Sequence, residues 1–169
     1  MLRPMPPMPR TREQLLARLQ ALGIATTTHE HPPVYTVEEA KALRGALPGA
    51  HAKNLFLKDK KGALFLVVTL EDRAVDLKAL RHLIGAKPLS FGRPELLQEV
   101  LGIEPGAVTP FALINDVDRR VNVVLDAEMM QMDPLNYHPL DNAATTAISP
   151  AGLLAFIRDC GHEPRVLAL

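Results

Sequence analysis

The chain has 169 residues, 47% of them apolar and 22% charged, an ordinary globular composition that can bury roughly two-thirds of its unfolded surface in one domain. Nineteen basic and nineteen acidic residues cancel, which argues against a protein that holds long DNA or RNA by bulk charge but leaves room for a local basic patch. The single cysteine, Cys160, excludes an internal disulfide and a thiolate zinc cluster, and no apolar run reaches the roughly 20 residues of a membrane span; a reducing cytoplasm is the simplest setting.

Residues 1–10, with prolines at positions 4, 6, 7 and 9, read as a disordered proline-rich extension, and 11–169 as a single domain. Thr11-Arg12-Glu13-Gln14 is a capping box, followed by Leu15, Leu16, Leu19 and Leu22 at helical spacing and Gly23 as a stop. Residues 24–31 favour a strand, which Pro32-Pro33 ends. Thr36-Val37-Glu38-Glu39 repeats the capping box and opens a helix expected to close at Gly45. Asn54 to Leu57 and Ala63 to Leu70 form a hairpin with Lys58 to Gly62 as its charged tip.

In the second half, Asp76 caps a helix carrying Leu77, Leu80, Leu83 and Ile84, and Pro94 starts another that ends at Gly102. Arg120 to Leu125 reads as a buried strand, Asn136 to Ile148 as strand-turn-strand, and Ser149-Pro150 as the start of a last helix ending near Gly161. Hairpin-linked strands with irregularly interspersed helices predict a mixed α/β (α+β) fold: a largely antiparallel mixed sheet or partial barrel with packed helices.

Four groups of residues bear on chemistry. Lys53, at the head of Leu55-Phe56-Leu57, is either an ordinary strand-end lysine or a fixed cation for a phosphate or developing oxyanion. Asn54 beside it offers both donors and an acceptor. Gly106-Ala107-Val108-Thr109-Pro110 is either a plain turn or a rigid loop presenting backbone groups to a ligand. His138, near Asn136, Asn142 and Thr145-Thr146, can orient a water or play a structural part. His29 and His31 share a strand face but no third metal ligand is placed by sequence, and no serine-hydrolase, Walker or dinucleotide motif occurs.

In order along the chain, Pro32-Pro33-Val34-Tyr35-Thr36, Ala52-Lys53-Asn54-Leu55-Phe56-Leu57, Gly106 to Phe111 and Asn142 to Ser149 resemble the signature of the YbaK-type aminoacyl-tRNA editing domains, which also occur inserted in bacterial prolyl-tRNA synthetases. Thr36-Val37-Glu38-Glu39-Ala40 and His138-Pro139-Leu140-Asp141-Asn142 are most similar to the free-standing prolyl-tRNA deacylase branch, with the cysteine- and serine/threonine-clearing relatives as competitors.

The resemblance implies hydrolysis of the ester between a small amino acid, alanine above all, and the 3′-terminal adenosine of proline tRNA. It implies no covalent intermediate, no metal and no other cofactor. Lys53, Gly106 and His138 are then the catalytic candidates. Val34, Tyr35, Thr36, Asn54, Phe56, Ala107, Val108, Thr109, Pro110 and Asn142 are the substrate-binding ones, with Val34, Phe56, Val108 and Thr109 in the pocket wall. The expected partners are the acceptor end of a mischarged tRNA and a prolyl-tRNA synthetase that presents it; Arg10, Arg12, Arg18, Lys41 and Arg44 are candidate contacts to the acceptor stem. A non-catalytic RNA-binding module of the same fold and a metal-dependent hydrolase using His29, His31 and His138 are the rival readings.

Overall fold

A computed structural model describes residues 8–33 and 37–169. Helix α1 (Arg12–Ala21) starts as its sequence dictates: Gln14 N donates to the Thr11 hydroxyl at 3.2 Å and Thr11 N donates to Gln14 Oε1 at 2.9 Å, so two otherwise orphan amides are satisfied. Its Leu15 and Leu19 are fully buried. Just ahead of it, Pro9 packs on Gly102, and Arg10 N donates to Asn115 Oδ1 at 2.8 Å. The folded body therefore includes these two residues of the proline-rich start.

Strand β1 (Thr26–Glu30) follows, then helix α2 (Val37–Ala46), whose predicted cap at Thr36 lies outside the described residues. Gly45 does not close α2 but lies within it. The turn comes instead at Gly49, at φ 101°, where a Cβ would sit 2.2 Å from Pro134 O; only glycine fits there.

Strands β2 (Ala50–Asp59) and β3 (Leu64–Leu70) form the predicted hairpin, with Lys58 and Asp59 inside β2 rather than in the tip. Asp59 Oδ1 accepts the amides of Lys61 and Ala63, both at 2.9 Å, and so builds the turn itself. Helices α3 (Leu77–Ile84) and α4 (Pro94–Leu101) both end on left-handed glycines, Gly85 and Gly102. Between them lies the short strand β4 (Leu89–Phe91). Strands β5 (Val121–Asp126), β6 (Leu135–Tyr137) and β7 (Ala144–Ile148), helix α5 (Pro150–Asp159) and strand β8 (Arg165–Leu167) complete the chain.

The strands form one mixed sheet in the order β1-β7-β6-β2-β3-β5-β8, with β4 also on β2. Among the described residues it is less antiparallel than expected: β1–β7, β6–β7, β2–β3 and β2–β4 are antiparallel, whereas β2–β6, β3–β5 and β5–β8 are parallel. The parallel pairs join strands separated by helices or long connections, as parallel pairing requires.

Alternation along β2 and β3 sorts their side chains onto two cores. Ala50, Ala52, Phe56, Leu64, Leu66 and Val68 face the main core with α1, α4 and α5. Leu55, Leu57, Phe65 and Val67 face a second cluster covered by α3 through Leu80 and Ile84.

Candidate active site at a break in the sheet edge

On one edge, β2 pairs with β6 only at Ala50 and His51, and with β4 only at Leu57 to Asp59. Over residues 52–56 that edge has no strand partner among the described residues. Ala50 N–H donates to Pro134 O and Gly92 N–H donates to Phe56 O, both at 2.9 Å. Even-numbered residues of β2 therefore turn their backbone groups to this edge, and the N–H and C=O of Asn54 face the break. Sequence reasoning points to Lys53-Asn54 but not to the gap in pairing that leaves the Asn54 backbone without a strand partner among the described residues.

Neighbouring residues of a strand point to opposite faces, so Lys53 and Asn54 do not lie side by side. Asn54 shares the face of Ala52 and Phe56, and its Oδ1 is buried without a hydrogen-bond partner among the described residues, a polar acceptor that ordinarily finds a donor. Lys53 shares the face of Leu55 and Leu57 and lies opposite Thr69 of β3. The lysine is half-buried, and no hydrogen bond or ion pair to it is found among the described residues.

Strand β6 runs parallel to β2 at Ala50–Leu135 and His51–Asn136, so the chain leaves β6 in the direction of the break, and His138 is the first residue past its end. The His138 ring is fixed by Nδ1, 3.1 Å from Ala144 O. A carbonyl only accepts, so Nδ1 carries the proton and Nε2 keeps its lone pair. Burial holds the imidazole below its ordinary pKa against the opposing effects of the Ala144 carbonyl and Asp141, so the ring is neutral at neutral pH.

The loop from His138 to Ala143 meets the Gly106 segment. A Cβ built on Gly106 would lie 3.7 Å from Asn142 Nδ2, an ordinary contact, with nothing nearer, so the glycine backbone faces that amide and a methyl is the most that fits between them without displacement. Ala107 is buried, Val108 packs at the edge of the main core, and Thr109 and Pro110 are buried. The Thr109 hydroxyl accepts the amide of Phe111 at 3.2 Å, so Thr109 serves the turn rather than presenting its side chain. Phe56 is 5% exposed, its ring lying against Gly92, where a Cβ would come within 2.4 Å. Val34, Tyr35 and Thr36 lie outside the described residues.

Several polar neighbours prove structural. Asn136 Nδ2 donates to Pro48 O and Ala50 O, both at 3.0 Å. Thr145 and Thr146 bond His31 and Thr28 across the β1–β7 pair. Arg12 and Arg18, candidates for RNA contact, are ion-paired with Asp141 and Asp159 at 2.7 and 2.6 Å.

The Arg12–Asp141 pair ties the loop that carries Asn142 to helix α1 and is a feature that the sequence reading missed. Arg12 Nε and Nη2 reach both Asp141 oxygens, at 2.9 and 2.7 Å, and Asp141 Oδ1 also accepts the Ala143 amide at 2.9 Å. Burial raises the Asp141 pKa, but these bonds outweigh it and hold the carboxyl below its ordinary value. The short spacing of Asp141 and Ala143 is a readable turn signal, whereas Arg12 lies 129 residues away.

The rings of His29, His31 and His138 form a row with centroids 6.2 and 6.5 Å apart. Both nitrogens of His31 already have oxygen partners, Pro32 O and Thr145 Oγ1 at 2.9 Å. Among the described residues no group of three or more histidines, cysteines or acidic residues could hold a metal ion. Burial pushes the Cys160 thiol up to about 11, which leaves it protonated and a poor nucleophile at neutral pH.

The sequence model of the aminoacyl-tRNA editing domain matches residues 31–156, a span holding the β2 edge, the Gly106 segment and the His138 loop. The chain belongs to the aminoacyl-tRNA editing domain family. This editing domain is 42% identical over 159 residues to the prolyl-tRNA synthetase associated domain-containing protein 1 of Danio rerio, covering 93% of this chain and 86% of that one. It is 36% identical to the prolyl-tRNA editing protein ProX of Acetoanaerobium sticklandii, covering 94% and 97%. The crystal structure of the hypothetical protein APE2540 shares the editing domain's fold, with a TM-score of 0.71 at 24% identity over 90% of this chain and 97% of that one. So does a proposed trans-editing enzyme for prolyl tRNA synthetase, with a TM-score of 0.70 at 23% identity over 94% and 96%. No described helix is long and apolar enough to cross a membrane.

Proposed function

We propose that this editing domain is a trans-acting deacylase that hydrolyses the ester of a small mischarged amino acid, alanine above all, on proline tRNA. The observation that carries the reading is the juxtaposition at the sheet break. A lysine without a partner among the described residues stands on the strand that borders the break, the chain leaves β6 toward that break at a neutral histidine, and the asparagine next to the lysine has a buried acceptor with no hydrogen bond among the described residues. Relatives named as prolyl-tRNA editing or prolyl-tRNA synthetase associated proteins support the substrate.

An aminoacyl ester is already activated, so positioning and electrostatics supply most of what its hydrolysis needs. Lys53 holds the terminal phosphate or the charge developing on the carbonyl oxygen. Asn54 and the backbone of Gly106 to Pro110 hold the α-ammonium and the reacting carbonyl, with Ala107 and Asn142 shaping that side. A water oriented by His138 Nε2 and the terminal ribose hydroxyl forms the new C–O bond. The ester C–O bond then breaks, and the departing 3′-oxygen takes a proton, leaving free amino acid and intact tRNA. No step requires a covalent enzyme intermediate or a metal, so activity is expected to survive exhaustive chelation.

Selection is by exclusion. A closed apolar wall, for which Val34, Phe56 and Val108 are the candidates, admits alanine and rejects proline, whereas discrimination among smaller side chains is worth only about 1–3 kcal/mol per methylene. Cysteine, serine or threonine are therefore the alternative substrates.

The test is a deacylation panel: alanine, cysteine, serine and proline on proline tRNA, and alanine on alanine tRNA, with and without a prolyl-tRNA synthetase. Alanyl-proline tRNA is expected to be hydrolysed fastest and prolyl-proline tRNA to be spared. Turnover of none would leave a non-catalytic RNA-binding module as the better account.

A further inference from the structure

Phe91 is an aromatic side chain left 62% exposed at the last position of β4, where that strand leaves β2 and the edge break begins. Its surroundings are firmly placed. The next residue, Gly92, lies flat on the Phe56 ring, too close to admit a Cβ, and its amide donates to Phe56 O at 2.9 Å.

Phe91 pairs directly with Leu57, and directly paired residues share a face of the sheet. Leu57, Leu55 and Lys53 share that face too, so the exposed ring and the lysine ammonium lie on one side of the break. The four steps from Lys53 to Leu57 span about 13 Å at roughly 3.3 Å each, and both side chains reach out from the sheet. An anionic backbone against Lys53 with a flat base against Phe91 is the pattern by which single-stranded nucleic acid ends are held, since every base offers a π-face.

We propose that Phe91 is the stacking platform for the 3′-terminal adenine of the tRNA, which leaves the ester to the break itself, between Asn54 and the loop that His138 opens. The proposal rests on the deacylase reading and adds to it a residue that positions the substrate. Arg93, exposed just beyond Gly92, adds positive charge at the same end.

The sequence contains no tryptophan, so Phe91→Trp creates a single fluorescent reporter at the proposed contact. A 5′-CCA-3′ trinucleotide should quench it with saturation, and the same trinucleotide lacking the terminal base should not. In steady-state deacylation, Phe91→Ala should raise KM for aminoacyl-tRNA about 5- to 150-fold while kcat stays within about twofold, and Phe91→Trp should restore the wild-type KM. An unquenched indole in Phe91→Trp together with an unaltered KM for Phe91→Ala, in a chain that still deacylates, overturns the stacking role and leaves the deacylase reading intact. Quenching by the trinucleotide in a chain that hydrolyses no ester of the panel upholds the platform and overturns the deacylase reading.

Discussion

Lys53 and Gly106 are the two positions where chemistry and stability separate most cleanly. No hydrogen bond or ion pair to Lys53 is found among the described residues, so Lys53→Ala should alter stability by no more than about 1 kcal/mol. Its effect on kcat/KM should be a fall of roughly 100-fold or more, the loss typical of a group that stabilises transition-state charge. Near-normal turnover by the folded variant would remove the lysine from the mechanism. Gly106 does not occupy the left-handed region, and an added methyl would point toward Asn142 without collision. Gly106→Ala should therefore hold its melting temperature, since a compatible alanine restricts the unfolded chain, yet lose deacylation because the methyl fills the ligand's space; unimpaired turnover would show that space to be unused. His138 adds a pH signature. Burial keeps its pKa below the ordinary 6.5, so kcat/KM should be level near neutrality and fall only as pH drops through a midpoint below 6.5. The variant His138→Ala should retain a low rate with that acid limb absent, and an unchanged limb would assign it to another group.

At the scale of elements, the clamp between α1 and the β6–β7 loop links fold to site. Arg12 has a 17% exposed side chain and Asp141 a 43% exposed one, so the pair is worth about 1 kcal/mol or less to stability. It nevertheless fixes the loop that carries Asn142, within which Leu140 adopts φ 74°, a conformation that costs a branched residue roughly 1–3 kcal/mol and needs surrounding support. Arg12→Ala should therefore depress kcat/KM by about tenfold with only a small change in melting temperature. Arg12→Lys should recover little, because an ammonium cannot span both carboxylate oxygens. Full activity in either variant would mean that the loop keeps its shape without the clamp. This link shows where reading the sequence stops. The starts of α1, α3, α4 and α5 were legible because Thr11, Asp76 and Ser149 as caps and Pro94 as a first helical residue act within their own turn. Gly45 misled because a glycine is tolerated inside a helix at a cost of only about 1 kcal/mol. β4 and β8, three residues each, are too short to show a period and exist only through pairing. Lys53, Asn54 and His138 were legible as residue types in a family order. That one strand edge would be left open between β6 and β4, and that Lys53 and Asn54 would approach the break from opposite faces, depends on pairings between distant segments.

For the whole molecule, buried carboxylates tie the far side of the sheet together and set its acid limit. Asp126, fully buried at the end of β5, accepts the Thr69 hydroxyl at 2.6 Å, Arg73 Nε at 2.8 Å and the Glu128 amide at 2.9 Å. Arg73 in turn donates to Leu169 O at 3.0 Å, drawing the C-terminal end onto the same network. Asp116 is held in the same manner by His162 Nε2 at 2.8 Å and the amides of Arg120 and Val121 at 3.0 and 2.9 Å. In both, burial raises the carboxyl pKa, yet the hydrogen bonds outweigh it and bring the value below the ordinary 3.8. A carboxylate with a depressed folded-state pKa binds fewer protons folded than unfolded. Its stabilisation is fully present above the unfolded value and is lost as pH falls through the folded one. Unfolding free energy should therefore be nearly insensitive to these two groups between pH 7 and 5 and should fall steeply below about pH 4. Asp126→Asn removes the charge that Arg73 and Thr69 face and should cost about 3 kcal/mol at pH 7. Because the amide does not titrate, the deficit should shrink toward pH 3. Denaturant unfolding of both proteins at pH 7, 5 and 3 measures this convergence, and a deficit of constant size across the range would show that Asp126 acts through packing rather than through its charge.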